Sequence, residues 1–305
     1  MKVVVSAVAF SKNKELVDTL LSHFPDAVIN TEGKRFVKNE LFEYYKEADA
    51  IITGLEKIDD DLLSMLPNLK LIAKYGVGLD NIDLDACKKR NIKIGWTGGV
   101  NKHSVAEMAL CLMLMLTRNL YITSNQLKLG TWNKSGGFSL KSRTIGIVGL
   151  GHIGKELVRL LKPFDCKILL NDIIDLEDYA QEHNLKVVEK DVLFQQADII
   201  SFHTPLNGST KNLVNKSSIL TMKSSVILIN TARGGIINEQ DLKWALQNNK
   251  IGGAALDVFE IEPPEDKELI EFPNLIATPH IAGNSYEAVI DMGLAAINHI
   301  INFRQ

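Results

Sequence analysis

Three glycines and a few polar side chains mark where this 305-residue chain could do chemistry. In the run Thr144 to Gly154, TIGIVGLGHIG, an apolar β-branched stretch leads into Gly149, Gly151 and Gly154 and then into a helical pattern. Each glycine has a task in a turn that cradles a pyrophosphate. Gly149 makes the tight turn, Gly151 lets the backbone approach the phosphates, and Gly154 lets the helix pack closely on its strand. The helix N-terminus then offers free N–H groups to the anion. A GxGxxG alone also occurs in turns that bind nothing, so a second signal matters. Asp172 ends the next apolar run, Lys167 to Asn171, close to the offset at which an acid holds the adenosine ribose hydroxyls. Ile173, Ile174 and Asp175 follow, with no Arg or Lys for a 2′-phosphate, and a carboxylate repels that phosphate. The pattern favours NAD over NADP.

Two further residues suit a reaction on a 2-keto acid, which needs a proton donor for the developing alkoxide and a cation for the carboxylate. Arg233 stands just after the apolar run Val226 to Asn230, where a charge is costly unless paired and where doubly wound folds bind ligands. His280 follows a proline in TPHIAG, and histidine titrates near physiological pH; a placed acid or base contributes about 10²- to 10⁴-fold in rate. Alone, His280 could be a hydrogen-bonded core residue, and Arg233 gives it meaning. Gly76 and Gly78 allow backbone N–H groups to approach a carboxylate as an anion nest, or form an ordinary turn. His23, His103, His152, His183 and His299 have no partner pattern, and no HxxxH or His/Cys spacing points to a metal. Cys87, Cys111 and Cys166 are odd in number and far apart, and are expected to be inert core thiols.

The elements that position these residues are legible as alternation. Val3 to Ala9, Ala50 to Thr53, Leu71 to Lys74, Thr144 to Gly149, Lys167 to Asn171, Asp198 to His203, Val226 to Asn230, Gly253 to Val258 and Leu275 to Thr278 read as buried parallel strands. Lys14 to His23, Val105 to Leu120, Lys155 to Leu161, Glu239 to Asn248 and Ser285 to Phe303 have helical spacing. Strands alternating with helices imply right-handed crossovers and a doubly wound α/β fold. With 305 residues, 46% of them hydrophobic, the chain exceeds one typical core, so two domains are expected. A net charge of −3 without a basic stripe disfavours nucleic acid, and no apolar run reaches the roughly 20 residues of a membrane span. A soluble cytoplasmic protein is expected.

With these motifs placed, the sequence resembles the D-2-hydroxyacid dehydrogenase family, most nearly its phosphoglycerate-dehydrogenase-like branch, over nearly the whole chain. KYGVGLDNID (Lys74 to Asp83), NKHSVAE (Asn101 to Glu107), GLGHIG, HTPL (His203 to Leu206), NTARGGIINE (Asn230 to Glu239), ALDVFEIEPP (Ala255 to Pro264) and TPHIAG (Thr278 to Gly283) carry the likeness. The resemblance implies a Rossmann-type NAD domain over 99–284 and a discontinuous flavodoxin-like substrate domain over 1–98 and 285–305. It also implies a cleft for NAD and substrate, and a homodimer formed mostly through the nucleotide domains. It makes His280 the acid/base, Glu262 the carboxylate that orients its imidazole, and Arg233 the grip on the substrate carboxylate. Toward NAD it carries over Val77, Gly149, Gly151, His152, Ile153, Gly154, Asp172, His203, Thr204, Pro205, Thr231, Ala232, Arg233, Asp257, His280 and Gly283, with Asp257 at the nicotinamide carboxamide. Toward substrate it carries over Lys74, Gly76, Val77, Gly78, Asn101, Arg233 and His280. Glu260, beside Glu262, reads as a solvated loop charge.

Family substrates range widely. Lys74, Lys102, Lys134 and Arg35 could form a phosphate cluster, and Lys74 and Lys134 lie near positions where phosphoglycerate dehydrogenases often carry Arg. Gly54, standing where such enzymes place another Arg, cannot. The expected substrate pair is 3-phosphoglycerate and 3-phosphohydroxypyruvate, with hydroxypyruvate, glyoxylate or another 2-keto acid as the alternative. The sequence stops at Gln305, so serine feedback through a C-terminal regulatory domain is not expected. Two other classes share the fold: NADH-sensing corepressors, which would show no turnover, and adenosylhomocysteine-type hydrolases, which are longer and lack the Arg233, Glu262 and His280 set.

Overall fold

The computed structural model describes residues 1–304 as two compact units, the first made of Met1–Asn101 with the chain from Asn284 onward, the second of Lys102–Gly283. In the first unit five strands, β1 (Val3–Val5), β2 (Val28–Ile29), β3 (Ala50–Thr53), β4 (Leu71–Lys74) and β5 (Lys93–Gly95), form a parallel sheet in the order β2-β1-β3-β4-β5. The three inner strands are buried at every position, which is why their sequences read as unbroken apolar runs. One face packs on Phe10, Leu16, Leu20 and, from the C-terminal helix Tyr286–Arg304, Met292, Ala296, Ile297 and Ile300. The other face packs on Leu41, Tyr45, Leu62, Leu63 and Ala86.

The expected strand Val3 to Ala9 is corrected: it stops at Val5, and Val8–Lys12 is helical. A short apolar run is compatible with either state, and here the turn at Ser6 and Ala7 divides it.

The second unit carries seven parallel strands, β6 (Thr144–Val148), β7 (Lys167–Asn171), β8 (Lys186–Val187), β9 (Ile199–Phe202), β10 (Ile227–Asn230), β11 (Gly253–Leu256) and β12 (Leu275–Ala277), in the order β12-β11-β10-β9-β6-β7-β8. The order reverses at β6, whose neighbours are β7 and β9. A crevice opens at such a switch point, outside the carboxyl ends of the strands. Helices Lys102–Thr117 and His152–Leu161 supply Ala106, Leu112, Met113, Leu157, Val158 and Leu161 to one face. Leu193, Phe194, Leu242, Ala245 and Leu246 cover the other.

The helix expected over Val105 to Leu120 runs from Lys102 to Thr117, and a separate one occupies Leu120–Lys128. Asn119 between them is left-handed at φ 52°, a conformation that ends a helix and that asparagine tolerates. Among the described residues no single helix is long and apolar enough to cross a membrane; that bent pair passes such a test only taken together. The expectation of three core thiols is also corrected, because Cys87 is buried, Cys166 is half-buried and Cys111 is exposed.

Candidate active site

Strand register builds the site in the second unit. Val148 pairs with both Asn171 and Phe202, Phe202 with Asn230, Asn230 with Leu256, and Leu256 with Ala277. The residue after each strand end therefore falls in one row at the carboxyl edge of the sheet: Asp172, Gly149, His203, Thr231, Asp257 and Thr278. Six residues that the motifs scatter over more than a hundred positions become neighbours through parallel pairing alone.

The glycine turn lies at the centre of this row. Gly149 has φ 94°, and a Cβ there would lie 2.7 Å from the His203 carbonyl carbon and oxygen. A Cβ on Gly154 would sit 2.2 Å from the Gly149 oxygen, so both positions exclude any side chain, whereas Gly151 faces open space. Helix His152–Leu161 starts immediately after Gly151 with no side-chain cap, leaving the first-turn N–H groups of His152 and Ile153 for a ligand. Asp172 borders the turn: its Oδ2 accepts from Leu150 N at 2.5 Å and its Oδ1 from Ile173 N at 2.7 Å.

Three buried polar atoms along the row, His203 Nδ1 and the hydroxyls of Thr204 and Thr231, have no hydrogen-bond partner. Buried donors and acceptors are normally paired, so this set suits a polar ligand lying across the strand ends, as a dinucleotide does. Burial holds the His203 imidazole down at about 4, with its Nε2 2.9 Å from Ser201 Oγ. At neutral pH His203 is an uncharged wall. Pro205 follows Thr204, and Ala232 is buried beside Thr231.

The reactive pair lies farther along the edge. His280 Nδ1 is 2.8 Å from Glu262 Oε2 and 3.1 Å from its Oε1. An ionised carboxylate only accepts, so the proton of a neutral ring lies on Nδ1. His280 is left-handed at φ 54°, a conformation that costs of order 1–3 kcal/mol and persists only when its surroundings impose it. Asp257 imposes it. Its carboxylate, 1% exposed, accepts from the Thr278 hydroxyl at 2.7 Å, Ile281 N at 2.9 Å and Ala282 N at 2.8 Å, gripping the 278–282 loop on both sides of the histidine. Gly283 closes that loop and is the last residue of the second unit.

Arg233 projects from the turn after β10, and its Nη1 donates to the Ala232 carbonyl at 2.6 Å. Asn230 holds that turn, accepting from Ala232 N at 3.1 Å and donating to the Arg233 carbonyl at 2.8 Å. Asn230 and Thr278 were not singled out from the sequence. A polar residue at or just past the end of a buried strand, two or three positions before Arg233 or His280, is the signal that finds both.

In the first unit Lys74, Gly76, Val77 and Gly78 follow one another at the carboxyl end of β4, with Gly76 at φ 125°. The Val77 carbonyl accepts from Trp96 Nε1 at 2.7 Å. Lys74, expected at the substrate, is 5% exposed, and its Nζ donates to the Gly54 carbonyl and, at 2.8 Å, to Asn81 Oδ1. Beside it the Glu56 carboxylate accepts from Gly54 N at 2.7 Å and from the Thr53 hydroxyl at 3.0 Å. Asn101 is the last residue of this unit's first segment. No group of three or more His, Cys, Asp or Glu that could hold a metal occurs among the described residues.

Comparison with known proteins places the chain in a family. The family model described as D-isomer specific 2-hydroxyacid dehydrogenase, NAD binding domain, matches residues 110–282. The chain is 38% identical over 279 residues to hydroxypyruvate reductase of Thermotoga maritima, covering 89% of this chain and 90% of that one. It is 33% identical over 294 residues to D-3-phosphoglycerate dehydrogenase of Archaeoglobus fulgidus, covering 95% of this chain but 55% of the relative, and so spans about half that protein's length. D-lactate dehydrogenase of Aquifex aeolicus, solved with NAD and lactic acid, superposes with a TM-score of 0.85 at 28% identity, covering 100% of this chain and 95% of the other.

Proposed function

The chain belongs to the D-isomer specific 2-hydroxyacid dehydrogenase family, whose cofactor is NAD, and we propose that Arg233, Glu262 and His280 are its catalytic set. When bound, NAD supplies the hydride donor or acceptor. The protein supplies the rest. Gly149, Gly151, His152, Ile153 and Gly154 cradle the pyrophosphate, Asp172 holds the ribose, and His203, Thr204, Pro205, Thr231, Ala232, Asp257 and Gly283 line the strand ends. In the reductive direction the doubly protonated His280 ring gives its Nε2 proton to the substrate oxygen and is left neutral; in the oxidative direction the neutral ring takes the hydroxyl proton at Nε2, while Glu262 fixes the ring and its tautomer. Arg233 holds the substrate carboxylate with its planar fork, a task for which lysine is a poor substitute. In the first unit, Gly76, Val77 and Gly78 offer backbone N–H groups of the kind that suits a carboxylate. The observation that carries this reading is the His280–Glu262 contact, held in a left-handed backbone by Asp257.

For the substrate we favour a small 2-keto acid without phosphate, such as hydroxypyruvate or glyoxylate. Lys74, the cation nearest the glycine nest in sequence, spends its donors on Gly54 and Asn81, and Glu56 places a carboxylate at the neighbouring strand end. The phosphoglycerate reading retains the support of relatives named for that activity. The protein is read as cytoplasmic and as a homodimer: helix Leu120–Lys128 buries none of its residues, and Leu120, Leu127, Leu129 and Trp132 stand exposed on or beside it.

The test is NADH oxidation by the purified protein with hydroxypyruvate, glyoxylate, pyruvate, 2-ketoisocaproate and 3-phosphohydroxypyruvate side by side. Saturable turnover that His280→Ala lowers by about 10²-fold or more, with NADH binding retained, is expected. A preference for the phosphorylated acid would restore the phosphoglycerate reading. No turnover of any acid by protein that binds NADH would overturn the dehydrogenase reading in favour of a sensing role.

A further inference from the structure

A second carboxylate stands behind the reactive pair. Glu239 is the first residue of helix Glu239–Gln247, a rigid element whose N-cap Asn238 accepts from Asp241 N at 2.9 Å and whose Leu242, Ala245 and Leu246 are buried. From there its Oε1 accepts the Glu260 backbone N–H at 2.6 Å. The segment reached in this way is the turn that ends in Glu262. Its outer residues do little to hold it, since Glu260 is exposed and Ile261 is 60% exposed. The turn is fixed from three sides. Glu262 Oε1 folds back to accept Phe259 N at 3.1 Å, and Glu239 takes the next N–H. On the third side lies the backbone of Gly234, where a Cβ would come within 1.9 Å of the Phe259 oxygen and 2.5 Å of Glu260 N. The residue beside the arginine thus rests on the peptide whose N–H Glu239 captures, and Glu262 sits two residues further on.

We propose that Glu239 is a positioning residue: by accepting the Glu260 N–H it fixes the Phe259–Glu262 turn, and through that turn the seat of Glu262 on His280. The inference rests on the assignment of His280 and Glu262 as the proton-transfer pair. Glu239 touches neither of the reactive side chains through any contact described above, so its effect is geometric.

Its surroundings show that the hydrogen bond, not free charge, is the reason for a carboxylate here. Burial pushes the Glu239 carboxyl above its ordinary range, the Glu260 N–H pulls against it, and the neighbouring carboxylates of Glu260, Asp266 and Glu262 add to the rise. The nearby cation on the same helix, Lys243, is engaged by Asp266 at 2.9 Å and Glu268 at 2.6 Å. A negative charge in this place is unfavourable, whereas an acceptor oxygen aimed at an otherwise open backbone donor is needed.

The experiment compares Glu239→Gln, which keeps an acceptor oxygen and drops the charge, with Glu239→Ala, which drops both, and uses Glu239→Asp should the alanine variant fail to fold. Two measurements are made, the first on NAD-loaded protein and the second with NADH supplied. Histidine ¹⁵N spectra, with the His280 signals identified by their loss in His280→Ala, report the ring tautomer without any turnover, and so remain informative if the reaction itself proves different. Steady-state kinetics with the best acid of the panel separates kcat from KM. We expect wild type and Glu239→Gln to share an Nδ1–H tautomer and kcat values within about threefold. Glu239→Ala should show mixed tautomers and a kcat at least about tenfold lower with KM nearly unchanged, set against the roughly 100-fold that a 1 Å misplacement costs. A Glu239→Ala protein with wild-type tautomer and kcat overturns the proposal, as does a Glu239→Gln protein as impaired as the alanine variant.

Discussion

Asp172 has a structural task beside the ligand role proposed for it. Its oxygens accept from Leu150 N and Ile173 N, so it stiffens the glycine turn. Asp172→Ala should weaken NADH binding by about tenfold, the loss of roughly one charge-assisted hydrogen bond, and narrow the preference over NADPH. Fluorescence titration with both nucleotides measures this, and an unchanged ratio would place ribose recognition elsewhere. The single residues of the site were legible as types: an arginine after a buried strand, a histidine after a proline, an acid at the ribose offset. Apart from Glu262, which the family resemblance supplied, their partners were not. Asp257 and Ile281 stand 24 positions apart, and Glu239 and Glu260 21 apart. Such contacts follow from strand register and loop path, which local spacing does not encode.

At the scale of the element, sequence reading succeeded where burial is complete. Ala50–Thr53 and Leu71–Lys74, buried at every position, emerge with the bounds their apolar runs suggest. The edge strands Val28–Ile29 and Lys186–Val187 escaped notice, being two residues long and partly or fully exposed. His103, read as having no partner, in fact joins two helices: its Nδ1 lies 2.8 Å from Glu156 Oε1, and Arg159 binds the same oxygen at 2.7 Å. Chiefly through the Arg159 hydrogen bond, and with His103 adding to it, the Glu156 carboxyl is held down at about 2. A carboxyl lowered by folding contributes stability above its unfolded value and loses it as pH falls through the folded one. Thermal unfolding of wild type should therefore weaken between roughly pH 4.5 and 2, and Glu156→Gln, less stable at neutral pH, should converge on wild type over that interval. Parallel curves would remove the clamp.

For the whole molecule, the exposed apolar residues around helix Leu120–Lys128 bear on assembly. Replacing Leu129, 85% exposed, and Trp132, 78% exposed, by serine should leave the fold intact and shift light-scattering mass from dimer to monomer. A wild-type protein that is already monomeric would refute the proposed homodimer. The division of the chain has a consequence of another kind, for the order of events during synthesis. The second unit is one continuous stretch, Lys102–Gly283, and can close as soon as it leaves the ribosome. The first unit cannot, because Phe10, Leu16 and Leu20 share their core with Met292, Ala296, Ile297 and Ile300 from the last helix. Phe10, Leu16 and Leu20 are thus buried only once that helix has emerged. Until then an apolar sheet face waits uncovered, and a nascent chain should engage holdase chaperones through residues 1–101.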